Sequence, residues 1–539
     1  MTTPSQDSRA DPAKDGAAWL RRGAIAIVAA AALLVLTFGQ GRDQAIYTMV
    51  ARSVVDGGMP YRDAWDFKPP GIFAIYTLAR ALFGAAPWGI RVIEALGLVA
   101  TSFGLVVLAR RLWKDATVGH VAAALAALVH AQLDFWHTAQ PETFGGMLTV
   151  AALVVALRAA PRGPALVAAG ALFGLAGLLK PPLAGGGAVL ALWLSLRRRR
   201  DDPDASPRDL LAPFAWVLLG GVTPFAVTFA VFAARGALAD LHQTLFVFTP
   251  HYTALGWEGR LFGAMLYQAV SEWLVEHSSA MGLGLLLLLA RGPAGWSRPG
   301  LPLLLGIVGI QLLGVALQGK FFPYHYAGLW PVTALIAALG WVETARALLA
   351  RGRMARVGLA ALVLAGLLAR SATKDVHGTF WRRAARRLRV FTWDRDDQPT
   401  IDGLATVADL DAQSNRRVAA ALRSLTPEGE PIYVWGFEPA LYDLADRPPA
   451  SRYIYNIPQR VPWSASWARP MLLADLAAHP PAAIVVVDND ALPHVTGDGR
   501  TSVDLVDGDD PFVELRQMLQ RDYRRATAIQ DFTIFTRTR

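Results

Sequence analysis

Arg42-Asp43-Gln44-Ala45-Ile46-Tyr47 and Phe67-Lys68-Pro69-Pro70 stand in one loop, just past the hydrophobic run Gly23–Phe38. That loop gathers an acidic residue, further charges and a Lys-Pro-Pro step at the end of a first apolar segment. A carboxylate there can act as a base, and a lysine there can hold a phosphate. Ionisable groups at the edge of a membrane span are functional candidates by default. The reading of the chain therefore turns on whether a membrane is present.

Composition says that it is. The chain has 539 residues, 53% of them hydrophobic, with a mean hydropathy of +0.32. Apolar runs of span length recur along it, which predicts a polytopic α-helical membrane protein. The net charge of +9 is spread over loops, so it reads as a topology signal and not as a nucleic-acid footprint. No cysteine is present, which excludes disulfides and thiolate metal sites. Ala- and Arg-rich, Lys-poor usage points to a bacterium with a GC-rich genome. Gly39-Gln40-Gly41 offers only a weak cleavage site, so Gly23–Phe38 is expected to be a retained first helix.

Hydropathy places about eleven spans: Gly23–Phe38, Gly89–Ala109, Ala116–Leu133, Thr143–Leu157, Pro164–Leu179, Leu183–Leu196, Leu210–Phe232, Val275–Ala290, Leu301–Leu317, Tyr326–Val342 and Val357–Ala369. Arginines follow every second one: Arg110 and Arg111, Arg158 and Arg162, Arg197 to Arg200, Arg291 and Arg298, then Arg346 to Arg356. With residues 1–22 as a cytoplasmic tail, all these clusters are cytoplasmic, as the positive-inside rule asks. Residues 23–370 then form the membrane domain, and its long outer loops are about 39–88 and 233–274. Within the first loop, Gln44–Val55 and Gly71–Phe83 read as helices lying in the interface. From Ser371 the composition becomes that of a soluble domain. Residues 371–539 are expected to form a small extracytoplasmic α/β domain. Its strands are placed at Pro431–Gly436, Ala483–Val487 and Ala528–Thr536, and its helices at Val418–Leu425 and Pro511–Arg521.

The chain holds only six lysines, and Lys68, Lys180 and Lys320 fall at outer span ends or in outer loops. Topology does not ask for positive charge there, whereas a phosphate does. Asp43 lies where it can serve as a base, or as the N-cap of the helix that follows. Asp66 is in the same loop. His137, Gln140 and Glu142 open the fourth span. Lys320, Tyr324, His325 and Tyr326 open the tenth, and His251 and Tyr252 sit in the second long loop. These groups suit sugar hydroxyls. His137 with Glu142 also leaves a divalent metal possible, with its ligands unknown. No Gly-rich phosphate loop and no G-x-S-x-G elbow is present.

Taken together, Asp43 to Tyr47, Phe67-Lys68-Pro69-Pro70, Leu82-Phe83-Gly84, Arg91, Gln140-Pro141-Glu142, Leu179-Lys180-Pro181-Pro182 and Pro323-Tyr324-His325-Tyr326 resemble the C-type glycosyltransferases. The closest branch is that of protein O-mannosyltransferases and lipid A aminoarabinose transferases. The resemblance covers about residues 20 to 370. It implies transfer of a sugar from a polyprenyl-phosphate carrier to a cell-envelope glycan, lipid or protein on the outer face of the bacterial cytoplasmic membrane. It also implies Asp43 as the base, Lys68, Lys180 and Arg91 at the donor phosphate, and the remaining candidates at the substrates. Many members carry a second acidic residue after the first, where this chain has Gln44. Residues 431–457, with Trp435-Gly436-Phe437-Glu438-Pro439, look like a tail found in uncharacterised bacterial members. The competing readings are a flippase or transporter of lipid-linked sugars, which would favour charges at mid-membrane, and an envelope polysaccharide polymerase or ligase.

Overall fold

The computed structural model describes residues 12–158, 163–275, 279–368, 379–407, 410–508 and 510–538. Arg162, Ala369 and the expected domain start at Ser371 lie outside the described residues. The first part of the chain is all helical: α1 (Pro12–Val35), α2 (Arg42–Val55), α3 (Pro70–Phe83), α4 (Gly89–Trp113), α5 (Ala116–Gln132), α6 (Pro141–Ala156), α7 (Gly163–Leu179), α8 (Gly185–Asp201) and α9 (Pro207–Ala234). Helices Phe262–Val275, Ser279–Leu289, Leu301–Gln318, Trp330–Leu349 and Arg353–Leu368 follow. Among the described residues, five helices are long and apolar enough to cross a membrane: α1 from Ala18, α4, α9, Leu301–Gln318 and Trp330–Leu349. Shorter apolar helices, α3, α5, α6, α7 and Ser279–Leu289, accompany them. Among the described residues, each segment expected to span contains an α-helix; residues 276–278 of the expected span Val275–Ala290 lie outside the described residues. The chain also makes helix Phe262–Val275, where the sequence reading left a loop.

Close packing fixes the ends that matter. A Cβ added at Gly170 or Gly220 would collide with the facing backbone between α7 and α9. Small residues let helix backbones approach where lipid gives no hydrophobic driving force. That contact sets the axis of α7, and Lys180 stands at its end.

Beyond Phe380 the chain folds into short helices around one four-stranded sheet. Its strands are β1 (Ile432–Trp435), β2 (Ala483–Val487), β3 (Tyr523–Ile529) and β4 (Phe532–Arg537), in the order β1-β2-β4-β3. β1 and β2 run parallel, and β4 is antiparallel to both β2 and β3. β2 is buried along its whole length, as its Ala-Ile-Val-Val-Val run requires of a central strand. The expected single strand Ala528–Thr536 is instead the tip of the β3–β4 hairpin. Its turn passes through Gln530 at φ 47°, a left-handed position with no glycine to announce it.

This sheet domain rests on α2, α3 and the segments beside them. Arg52 of α2 and Arg80 of α3 both pair with Asp443 at 3.1 Å. Arg383 and Arg387 grip Asp134 at 2.5 and 2.7 Å. The Trp65 amide donates to the Arg452 carbonyl at 2.8 Å.

Candidate functional site

Four segments reach the site through a residue followed by proline: Lys68-Pro69, Gln140-Pro141, Lys180-Pro181 and Phe322-Pro323. Proline forces the residue before it into an extended conformation and tolerates the first turn of a helix. Gln140 accordingly has φ −92° and ψ 163°, and Lys180 has φ −151° and ψ 113°. Lys68-Pro69 and Gln140-Pro141 lead into the α-helices α3 and α6, whereas Lys180-Pro181 and Phe322-Pro323 open four-residue 3-10 turns. These ends converge on a cavity of about 470 Å³ whose lining includes Lys68, Lys180, Tyr252, Lys320, Tyr324 and His325.

Two lysines of that cavity are paired with carboxylates. Lys180 Nζ lies 2.5 Å from Glu142 Oε1. Lys68 Nζ lies 3.9 Å from Asp43 Oδ2, which also accepts the Gln140 amide at 3.2 Å. Tyr47 donates to the other end of the Gln140 amide at 3.0 Å, so that amide cannot flip without losing a bond. Both of these contacts to Asp43 fall on Oδ2, and the Asp43 side chain remains 26% exposed. Burial works to lower the pKa of Lys68, and the facing Tyr324 and the Asp43, Asp66 and Glu142 carboxylates overcome it and hold the pKa above its ordinary value. Lys180 is pulled below its ordinary value, mainly by burial. Lys320 stands 3.0 Å above the Tyr252 ring, and burial together with its two fellow lysines brings it down to about 7. Asp66 is almost fully buried. Burial pushes its carboxyl up to about 6, against the pull of Lys68 and a hydrogen bond from Tyr455.

Asp43 is not the cap of its helix. α2 begins at Arg42, its N-cap is Gly41, and the Gln44 side chain accepts the Gly41 amide at 2.9 Å. Asp43 sits in the first turn, where the dipole welcomes its charge. Gln44, the residue after Asp43, donates to the carbonyls of Phe135, Trp136 and Thr138 at 3.1, 3.2 and 2.7 Å. A carboxylate could not donate those bonds. Gln44 thereby holds the loop that carries Gln140. Among the described residues no cluster of three His, Asp or Glu side chains could hold a metal ion.

The structure sends four of the expected site residues elsewhere or to the margin. Arg91 is fully buried, donating to Glu94 at 2.8 Å, Thr138 at 3.0 Å and the carbonyls of Gly39 and Phe135. It braces the same loop from behind and does not line the cavity. Tyr326 is buried with its hydroxyl toward Glu272, 3.3 Å away. His251 is exposed and stacks on Trp463. His137 stacks on Tyr324 at 6.0 Å and so borders the site. Two residues that the sequence did not mark reach it from the sheet domain. Tyr455 donates to Asp66 Oδ1 at 2.8 Å, and Glu438 accepts from Arg42 Nε at 2.8 Å.

A second cavity of about 840 Å³ adjoins the first and shares Pro70, Leu178, Leu179 and Thr228 with it. Its lining is apolar apart from a few threonines, and no charged side chain belongs to it.

The sequence profile of the dolichyl-phosphate-mannose-protein mannosyltransferase family matches residues 67–203, which carry Lys68, Gln140, Glu142 and Lys180. The crystal structure of ArnT from Cupriavidus metallidurans bound to undecaprenyl phosphate superposes with a TM-score of 0.51 at 15% identity, covering 95% of this chain and 98% of that one. The apo state of the same protein gives 0.50 at 14% identity with the same coverage. The archaeal oligosaccharyltransferase AglB from Archaeoglobus fulgidus, in complex with an inhibitory peptide and a dolichol-phosphate, gives 0.43 at 14% identity, covering 96% of this chain and 74% of that one. No curated protein matches the chain. The chain shares its fold with ArnT, and its residues 67–203 match the sequence profile of the dolichyl-phosphate-mannose-protein mannosyltransferase family.

Proposed function

We propose that this protein is an integral-membrane glycosyltransferase. It moves a sugar from a polyprenyl-phosphate carrier to a cell-envelope acceptor on the outer face of the bacterial cytoplasmic membrane. The N-terminus is then cytoplasmic and the sheet domain extracytoplasmic. The observation that carries the reading is the pairing of Lys68 with Asp43, and of Lys180 with Glu142, at the wall of one largely apolar cavity. Paired ammonium groups beside an apolar channel suit a lipid phosphate: its chain lies in the cavity and its head meets the lysines.

The chemistry follows from the charges. An acceptor hydroxyl attacks the anomeric carbon and loses its proton to Asp43 Oδ1. The bond from that carbon to the phosphate oxygen breaks, and the lipid phosphate leaves with the electron pair. A general base contributes about 10²–10⁴-fold to such a step. The leaving phosphate needs charge stabilisation and no proton, which Lys68 and Lys180 supply as they turn from their carboxylates. Gln140 keeps Asp43 oriented while this happens. His137, Tyr324, His325, Tyr252 and Lys320 remain as walls for the sugar and its phosphate.

The lipids of cells lacking the protein test this reading. A polyprenyl-phosphate monosaccharide is expected to accumulate. Accumulation of a polyprenyl-diphosphate oligosaccharide would replace the reading with a polymerase or ligase. Unchanged total pools with the sugar trapped on the inner face would replace it with a flippase.

A further inference from the structure

The sheet domain touches the membrane part of the molecule at the two places where the site is set. Glu438 Oε1 accepts from Arg42 Nε at 2.8 Å, and Glu438 Oε2 accepts from Asn415 Nδ2 at 2.9 Å. Arg42 and Glu438 are both almost fully buried, and Arg42 is the residue before Asp43. Across the site, Tyr455 donates to Asp66 Oδ1 at 2.8 Å, while Asp66 Oδ2 accepts the Lys68 amide at 3.3 Å. One domain thus holds the neighbour of the base and the carboxylate that ties down the phosphate lysine. Asp43 and Lys68 stand 3.9 Å apart between these two grips.

The grips are built and not incidental. Tyr455 is fully buried inside an aromatic cluster, 5.7 Å from Trp65 and 5.3 Å from Phe437 by ring centroids. Phe437 in turn lies 5.5 Å from the Arg42 guanidinium. Trp435-Gly436-Phe437-Glu438 leads directly out of β1, so the rigid sheet carries Glu438 to Arg42. A buried ion pair contributes little net stability compared with an apolar pair of the same shape, so its retention here points to placement.

We propose that Glu438 and Tyr455 are positioning residues for the transfer reaction. Glu438, through Arg42, places the base Asp43. Tyr455, through Asp66, places the phosphate-binding Lys68. The sheet domain is therefore part of the catalytic machinery and no mere appendage. This inference rests on the function proposed above.

The two grips predict two different defects, which a purely structural domain would not produce. In the full-length protein, Tyr455→Phe is expected to weaken undecaprenyl phosphate binding about three- to tenfold. Transfer at saturating donor is expected to survive, as measured in membranes of cells lacking the protein, which supply both donor and acceptor. Glu438→Gln is expected to keep undecaprenyl phosphate affinity within about twofold and to slow transfer at least about tenfold. Because Glu438→Gln removes the carboxylate charge that faces buried Arg42, the double variant Arg42→Gln/Glu438→Gln serves as its folded counterpart and should show the same slow transfer. Equal losses of binding and transfer in both variants, or parental values for both in well-folded protein, would overturn the inference. Lys68→Ala is measured alongside. If it weakens binding while Tyr455→Phe does not, the positioning role fails and the function stands. If Lys68→Ala binds undecaprenyl phosphate as the parent does, the proposed function fails and takes the inference with it.

Discussion

Two clusters of charge lie close together in this protein, and among the described residues only one faces a cavity large enough for a ligand. In the first, Arg91, Glu94 and His130 are closed in on themselves. Arg91 and Glu94 are fully buried at 2.8 Å, and His130 Nε2 lies 3.2 Å from the same carboxylate. The Glu94 carboxylate also accepts the amide of Ala139, which sits at φ 54°. In the second, Lys180 holds Glu142 at 2.5 Å and Lys68 stands 3.9 Å from Asp43, and both lysines and Asp43 keep part of their side chains exposed. The first cluster consumes its charge in holding the loop before α6. The second keeps charge available to a ligand. Position on the chain does not separate them, since Arg91 and Glu142 each open an expected span. What separates them is whether polar partners or empty space face the charged atoms.

Substitutions in the two clusters should part accordingly. The largest effect on folding is expected from Arg91→Ala, which leaves Glu94 buried without its partner. Breaking a buried pair costs about 3–5 kcal/mol, so the variant should lose folded protein in detergent, as read by size-exclusion chromatography and thermal denaturation. If Arg91→Ala folds normally and only binds donor poorly, the closed cluster is functional after all. Lys180→Ala should fold and instead lose about 1.5–3 kcal/mol of affinity for undecaprenyl phosphate, roughly 10- to 150-fold. Parental affinity would make Lys180 a partner of Glu142 and nothing more.

A smaller effect should appear with pH at Asp66. Its folded pKa of about 6 lies above the ordinary 3.8, so folding favours the protonated form. That contribution is present in full below about pH 4 and is lost as pH rises through 6. Asp66→Asn cannot lose it. The melting temperature of the variant relative to the parent should therefore rise between pH 4 and pH 7, by roughly a few degrees. A difference that stays flat with pH would show that Asp66 does not titrate there.

The proline steps explain why so much of the site could be read from the sequence. Lys68-Pro69, Gln140-Pro141 and Lys180-Pro181 announce a helix entry and fix the backbone of the residue before it, with no help from distant contacts. Lysines placed against the topology rule were equally visible. Direction was not visible. Tyr326 follows His325 directly, yet Tyr326 turns into the helical bundle while His325 lines the cavity. The distant partner of Tyr326, Glu272 on helix Phe262–Val275, goes with that direction and is not announced by the local sequence. Nor could local pattern reveal a partner such as Glu438, whose link to Arg42 spans 396 positions. The long apolar helices were legible because each carries its own hydropathy signal. The β3–β4 hairpin was not, because a Gln-Asp turn lacks the glycine that usually marks one.

The account stands or falls on Asp43. Asp43→Asn keeps the side chain's size and its place beside Gln140, and it removes the negative charge. The account predicts a folded protein that binds undecaprenyl phosphate at least as tightly as the parent and transfers sugar at least ~100-fold more slowly in membranes supplying donor and acceptor. Near-parental transfer by well-folded Asp43→Asn protein would contradict it and move the base to Glu142 or Asp66.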